Sequence, residues 1–171
     1  MARFKSVISQ HRDRCNELHS KVHATFLRCK KSEQSKAEWQ TACRDFREFR
    51  TEVDDLLEKV DTQSIETEPS IREFVFDYIS IDPVYFGSGY AKERLLSQLK
   101  KVKLSDDEKE IFRRTILQRV KNGAYREFKH YCRFIPQIAS ESFIEDLHSA
   151  SCSHDESIQS RAKFALNYLD K

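Results

Sequence analysis

The chain has 171 residues, of which 39% are hydrophobic and 34% are charged. A chain of this length buries a core without disulfide bonds or structural metal ions, and the high charged fraction favours long helices with wide solvated faces. It contains only 3 glycines and 3 prolines, too few for the many tight turns of a β-sandwich or a β-barrel. The composition therefore excludes an all-β fold and predicts an all-α protein.

The sequence pattern contains neither a membrane span nor a secretion signal. No apolar run approaches the roughly 18 residues that a membrane-spanning helix needs. The first residues, Met1 to Lys5, become polar at once instead of opening a signal peptide. The five cysteines are odd in number and widely spaced, which is typical of reduced thiols. We therefore expect a cytoplasmic protein with no membrane partner.

The N-terminal 62 residues carry two helical patterns. The first predicts a helix over 3–31, with an apolar stripe formed by Phe4, Ile8, His11, Cys15, Leu18 and Val22. The second predicts a continuous helix over 36–60 with the heptad spacing of a coiled coil, formed by Trp39, Ala42, Phe46, Phe49, Val53, Leu56 and Val60. We predict an antiparallel helical hairpin arm over 1–62. Because two helices cannot fully bury their seam, the arm packs on the rest of the chain or forms a homodimer through residues 36–60.

The remainder of the chain has shorter helical patterns. Residues 61–68 form an acidic segment that we predict to be a linker, and an aromatic-rich turn containing Gly87-Ser88-Gly89 comes later. Beyond it, apolar periodicity and capping boxes predict about five short helices, one of them over 124–138. We predict a C-terminal α-helical array over 69–171, either a short α-solenoid or a compact bundle, which stands apart from the arm or packs with it as one domain.

Charge is distributed unevenly, although the net charge is only +2. Residues 52–82 are strongly acidic, whereas residues 92–133 are basic. The cations of the basic segment are Lys92, Arg94, Lys100, Lys101, Lys103, Lys109, Arg113, Arg114, Arg119, Lys121, Arg126, Lys129 and Arg133. They form either the solvated faces of amphipathic helices or a surface for nucleic acid or an acidic protein. The candidate binding residues are Lys100, Lys101, Arg113, Arg114, Arg126 and Lys129.

Histidine and cysteine spacing suggests a metal site as a further candidate. His19 and His23 are one helical turn apart, and Cys43 comes opposite His23 if the hairpin turns near residue 33. However, this spacing matches no family of zinc sites, and the Gly87-Ser88-Gly89 turn lacks the Lys-Ser/Thr pair of a Walker loop. We therefore expect no metal and no cofactor, and the sequence contains no established catalytic motif.

Arg12, Asp13 and His19 on the first helix form a pattern similar to the Arg-x4–6-His signature of the higher eukaryotic and prokaryotic nucleotide-binding (HEPN) helical family. Some members of that family are metal-independent ribonucleases. The resemblance implies that His19 acts on the 2′-hydroxyl or the leaving oxygen of RNA and that Arg12 stabilises the phosphorane.

Three hypotheses for function follow from the sequence. The first is a non-enzymatic binding or scaffold module that acts through protein–protein contacts. The second is a nucleic-acid-associated protein that uses the basic segment 92–133. The third is a HEPN-like ribonuclease that uses Arg12 and His19. The lack of an established enzyme motif favours the first hypothesis.

Overall fold

The computed structural model describes residues 3–169, and this part of the chain forms helices without any β-strand. The prediction of an all-α fold is confirmed. The helices are α1 (Lys5–Phe26), α2 (Glu33–Glu48), α3 (Glu52–Lys59), α4 (Thr62–Thr67), α5 (Pro69–Ile81), α6 (Ser88–Leu99), α7 (Asp106–Asn122), α8 (Phe128–Cys132), α9 (Ile135–Ile138), α10 (Glu141–Ser151) and α11 (Glu156–Leu166). Residues 1–2 of the predicted range 1–62 and residues 170–171 of the predicted range 69–171 lie outside the described residues. Every helix of the described chain is too short or too polar to serve as a membrane span.

The predicted hairpin at the N-terminus is confirmed, because α1 and α2 pack closely against each other. Residues 27–32 connect the two helices. Ser32 begins α2, since its hydroxyl accepts a hydrogen bond from the Ser35 N–H at 3.1 Å and so satisfies a free donor of the first turn. Along α1, the predicted apolar stripe is buried at Ile8, Cys15 and Leu18.

The prediction of a continuous helix over 36–60 is wrong, because the chain leaves the helical conformation between α2 and α3. Phe49 adopts an extended backbone, and Thr51 begins a new helix with a reciprocal cap. The Thr51 hydroxyl accepts the Val53 N–H at 3.2 Å, while the Asp54 carboxylate accepts the Thr51 N–H at 2.8 Å. The heptad pattern therefore extends over two helices that have separate caps.

Two other segments also differ from the predictions. The predicted linker over 61–68 is wrong, because this segment contains α4. The Asp61 carboxylate caps the start of α4 by accepting a hydrogen bond from the Ser64 N–H at 2.7 Å. The predicted helix over 124–138 is divided into α8 and α9. Pro136 cannot donate a hydrogen bond to the carbonyl four residues earlier, so it interrupts a continuous helix and lies instead in the first turn of α9.

The core is organised around α7, which packs against α5, α10 and α11. Phe112, Ile116 and Val120 on α7 are fully buried. The same continuous apolar cluster includes Phe4 at the base of the hairpin, whose ring meets Phe74 on α5 edge to face at 5.6 Å. Burying a large apolar side chain stabilises the folded state by about 1.5–3 kcal/mol. The base of the hairpin and the helices beyond residue 69 are thus held together by a common core.

Candidate interaction site

The turn between α5 and α6 depends on two residues with unusual backbone angles. Asp82 ends α5 in the left-handed conformation, with φ 49° and ψ 56°, which aspartate tolerates better than most residues. Gly87 precedes α6 with φ 92°, an angle at which any other side chain would be strained. The two residues reverse the chain and leave Val84 and Phe86 exposed to solvent.

A buried ion network supports this turn. Lys92 on α6 is only 1% exposed, and its Nζ lies 2.7 Å from Asp82 Oδ1 and 2.8 Å from Glu127 Oε1. Arg119 on α7 donates a hydrogen bond from Nε to Asp82 Oδ2. The Tyr131 hydroxyl donates to Asp82 Oδ1 at 3.4 Å. Two carboxylates and two cations therefore balance each other, and no buried side-chain nitrogen or oxygen of the described residues lacks a hydrogen-bond partner.

Burial and neighbouring charges shift the pKa values of Tyr131 and Arg119 in this network. Burial raises the pKa of the Tyr131 phenol well above its ordinary value, so its hydroxyl stays neutral. Burial opposes the charged form of Arg119, but the hydrogen bond and the charge of Asp82 outweigh this effect and raise the pKa of the guanidinium. The charged hydrogen bonds of the network connect α5, α6 and α7.

The interpretation of Lys92 and Arg119 as members of solvated faces is wrong, and the sequence contains a signal that could have revealed it. Each cation continues an apolar stripe of its helix. Lys92 precedes buried residues at spacings of three, four and seven, namely Leu95, Leu96 and Leu99. Arg119 follows buried residues at the same spacings, namely Ile116, Thr115 and Phe112. A cation in such a position predicts a buried carboxylate partner.

Four exposed apolar or aromatic side chains surround the supported turn: Val84, Phe86, Tyr90 and Tyr125. We call these four residues the aromatic surface. Phe86 and Tyr90 are each 67% exposed. Val84, Tyr90 and Tyr125 line a shallow cleft of about 230 Å³. Phe86 extends towards the hairpin, where its ring stacks on His19 with centroids 5.1 Å apart.

Two arginines hold the tyrosine rings of the aromatic surface in place. The Arg126 guanidinium lies 4.3 Å from the centroid of Tyr90, and the Arg119 guanidinium lies 4.7 Å from that of Tyr125. A cation at such a distance is attracted to the face of the ring. Arg119 also belongs to the ion network, so it contacts both the buried Asp82 and the exposed Tyr125 ring.

The six candidate binding residues lie in different surroundings. Arg113 is half-buried, and its Nε donates to the Ile138 carbonyl at 2.6 Å. Arg113 and Arg114 share Glu110, and Arg126 binds both carboxylate oxygens of Glu93. The three lysines Lys100, Lys101 and Lys129 are exposed, and none has a carboxylate of residues 3–169 within 4 Å.

Two of these lysines lie on a common patch. Burial lowers the pKa of His130 and Glu93 opposes this shift, while the nearby charges of Arg133, Lys129 and Lys100 add to it. His130 Nε2 lies 3.3 Å from Glu93 Oε1. Glu93 thus lies between two groups of cations. It contacts His130, which borders the patch formed by Lys100, Lys129 and Arg133, and it also binds Arg126, which contacts Tyr90 of the aromatic surface.

The residues of the suggested ribonuclease and metal sites lie on or beside α1. Arg12 Nε is bound to Asp13 Oδ1 at 2.8 Å, and His19 packs on Phe86 and, edge to face, on His23. The ribonuclease hypothesis for Arg12 and His19 stays a prediction. Within residues 3–169, no three His, Cys, Asp or Glu side chains converge in an arrangement that could hold a metal ion.

A buried cysteine–histidine pair also lies on α1. The Cys15 Sγ is 3.4 Å from His11 Nε2, and the Thr51 hydroxyl lies 2.8 Å from His11 Nδ1. Burial raises the pKa of Cys15 to about 11, with a smaller contribution from Asp54. These contacts join α1 to the cap of α3, and the raised pKa keeps the Cys15 thiol protonated, whereas the thiolate is the nucleophilic form of cysteine.

Comparison with known proteins adds no relative: no protein-family model, no curated protein and no solved structure matches this chain.

Proposed function

We propose that the protein is a non-enzymatic binding module that docks a protein partner on the aromatic surface. The observation that carries this proposal is the combination of four exposed apolar or aromatic side chains with a buried ion network that fixes their turn. Exposed apolar side chains that cluster, rather than lie scattered, are typical of interaction sites. Tyrosine and arginine are also the residues that most often dominate binding energy at interfaces.

The surrounding charges suggest the chemistry of the partner. Arg126 borders the cleft, and the patch formed by Lys100, Lys129 and Arg133 lies beyond Glu93. A complementary partner would place apolar side chains against Tyr90 and Tyr125 and carboxylates towards the cations, because opposite potentials favour the encounter and fix its register. We therefore expect a protein segment that is both apolar and acidic.

Paired substitutions test the docking proposal. The full chain would be immobilised and exposed to nuclease-treated cell extract, and bound proteins would be quantified by mass spectrometry. The double variant Tyr90→Ala/Tyr125→Ala should capture a specific partner at least about tenfold less, since each central interface residue contributes more than about 1 kcal/mol to the binding free energy. The matched control Phe26→Ala/Leu27→Ala removes exposed apolar surface at the far end of the hairpin and should retain the partner. Equal capture by both variants would contradict the proposal.

A nucleic-acid-associated function is the second candidate, and it is favoured by the exposure of Lys100, Lys129 and Arg133 near His130, to which Arg133 is hydrogen-bonded at 3.4 Å. If these cations bind phosphates, the affinity for a labelled single-stranded RNA must fall as salt rises. Lys100→Glu/Lys129→Glu should reduce the slope of log affinity against log salt concentration by about 1.4, since each phosphate contact contributes about 0.7 to that slope. The control Lys30→Glu/Lys31→Glu changes the same charge elsewhere. An unaltered slope would remove this candidate.

A further inference from the structure

The tip of the hairpin exposes apolar side chains far from the core. α1 ends at Phe26, which is 53% exposed, and Leu27 follows with 80% of its surface exposed. Trp39 on α2 lies beside them, with its ring centroid 5.8 Å from that of Phe26. At 1.5 Å per residue, Leu27 is about 28 Å along the hairpin from Ile8, the last residue of α1 that belongs to the main core. These side chains therefore contribute little to the fold.

Unpaired cations follow the apolar side chains directly. Arg28, Lys30 and Lys31 are exposed, and none has a carboxylate of the described residues within 4 Å. Lys30 and Lys31 line a groove of about 410 Å³ together with Trp39. We call Phe26, Leu27, Arg28, Lys30, Lys31 and Trp39 the hairpin tip. It combines an apolar apex, a tryptophan and a cluster of positive charge.

We infer that the hairpin tip binds peripherally to an anionic lipid surface, with Phe26 and Leu27 entering the interfacial region and Arg28, Lys30 and Lys31 contacting the headgroups. Membrane-surface anchors combine apolar side chains with lysine and arginine, which are attracted to anionic lipids. Tryptophan is enriched at the same depth, where its apolar ring and polar N–H are both satisfied.

The other occupants fit the tip less well. A second copy of the tip would bring two sets of unpaired cations together, which is repulsive. Single-stranded nucleic acid would suit the cations, but Leu27, the most exposed large apolar side chain of the described residues, has no aromatic face on which a base can stack. The sequence-based expectation of no membrane partner rested on the lack of a spanning segment, and a peripheral contact needs none.

The position of Trp39 provides a direct test, because it is the single tryptophan of the chain. The full protein would be titrated with large unilamellar vesicles of phosphatidylcholine, with or without 30% phosphatidylserine. We expect Trp39 emission to shift to shorter wavelengths and the protein to cosediment with the anionic vesicles only. Each basic residue near an anionic surface contributes about fivefold in affinity. Lys30→Glu/Lys31→Glu should therefore weaken binding by at least about twentyfold.

Two further variants separate insertion from general electrostatic attraction. Phe26→Ser/Leu27→Ser should remove most of the cosedimentation, while Lys103→Glu/Lys121→Glu, which changes the same charge at two exposed lysines of the array, should not alter it. All three pairs are exposed, so circular dichroism should show an unchanged fold. Failure to bind anionic vesicles, equal losses in the two lysine pairs, or a Trp39 response to a single-stranded oligonucleotide in place of vesicles would each overturn the inference. None of these outcomes depends on docking at Tyr90 and Tyr125.

Discussion

Removing Lys92 should destabilise the protein far more than removing any exposed lysine. Lys92 is the only cation of the network within 3 Å of both Asp82 and Glu127. In Lys92→Met, Glu127 keeps only Arg119, at 3.9 Å, which is beyond a normal hydrogen bond. Breaking a buried pair by removing one partner costs about 3–5 kcal/mol, because a charge is left buried without compensation.

The cost can be measured by urea and thermal unfolding, followed by circular dichroism at 222 nm. A loss of about 4 kcal/mol corresponds to a fall in the melting temperature of about 12 °C for a chain of this size. The matched control is Lys100→Met, which removes an exposed lysine next to the end of the same helix and should change the free energy of unfolding by less than about 0.5 kcal/mol.

A double variant separates charge balance from packing. Lys92→Met/Glu127→Gln leaves one carboxylate, Asp82, and one cation, Arg119, so the buried charges balance again. We expect the double variant to be more stable than Lys92→Met, with a coupling free energy of at least about 1 kcal/mol. A cost below about 1 kcal/mol for Lys92→Met, or strictly additive single effects, would refute the argument that charge compensation holds this network together.

Two further predictions concern the junction of α1, α2 and α3. Phe49 is half-buried, and its ring stacks on His11 with centroids 5.7 Å apart. Phe49→Ala should therefore lower the free energy of unfolding in urea by about 2 kcal/mol, which is less than the loss at a fully buried phenylalanine. A loss near zero would contradict this packing. Burial lowers the pKa of His11 despite the opposing charge of Asp54, so the unfolded state takes up the proton first as the pH falls below about 6.5. Stability should therefore decrease between pH 6.5 and pH 5, and His11→Gln should reduce this slope, whereas a slope equal to that of the unmodified protein would contradict the assignment.

The hairpin and the longer helices of the array could be predicted from the sequence because their signals are local. The capping box at Ser105 marks the start of α7, and the Asn122-Gly123 pair marks its end, as in the structure. The break after α2 was also encoded locally, in the cap formed by Thr51 and Asp54, but the unbroken apolar spacing masked it. A periodic stripe reports which residues face the core and not whether one helix or two carry them.

The candidate site could be predicted only in part, because its partners are distant in sequence. The positions of Lys92 and Arg119 on apolar stripes show that each is buried, yet nothing local assigns Asp82 and Glu127 to them. The exposure of Tyr90 and Tyr125 is likewise a tertiary result, since both belong to aromatic-rich segments whose other rings are mostly buried.

The pairing of charges also determines which surfaces remain for partners. Much of the basic segment is already engaged: Lys92 and Arg119 are inside the network, and Arg126 is held by Glu93. The positive charge that remains free is therefore smaller than the sequence suggests, and Glu93 and Arg126 connect part of it, Lys100, Lys129 and Arg133, to the aromatic surface. Because exposed charges are screened by salt while apolar contact is not, docking that depends on Tyr90 and Tyr125 should persist at salt concentrations that abolish binding through the lysines alone. Salt dependence thus distinguishes the two functions that we propose for this face of the molecule.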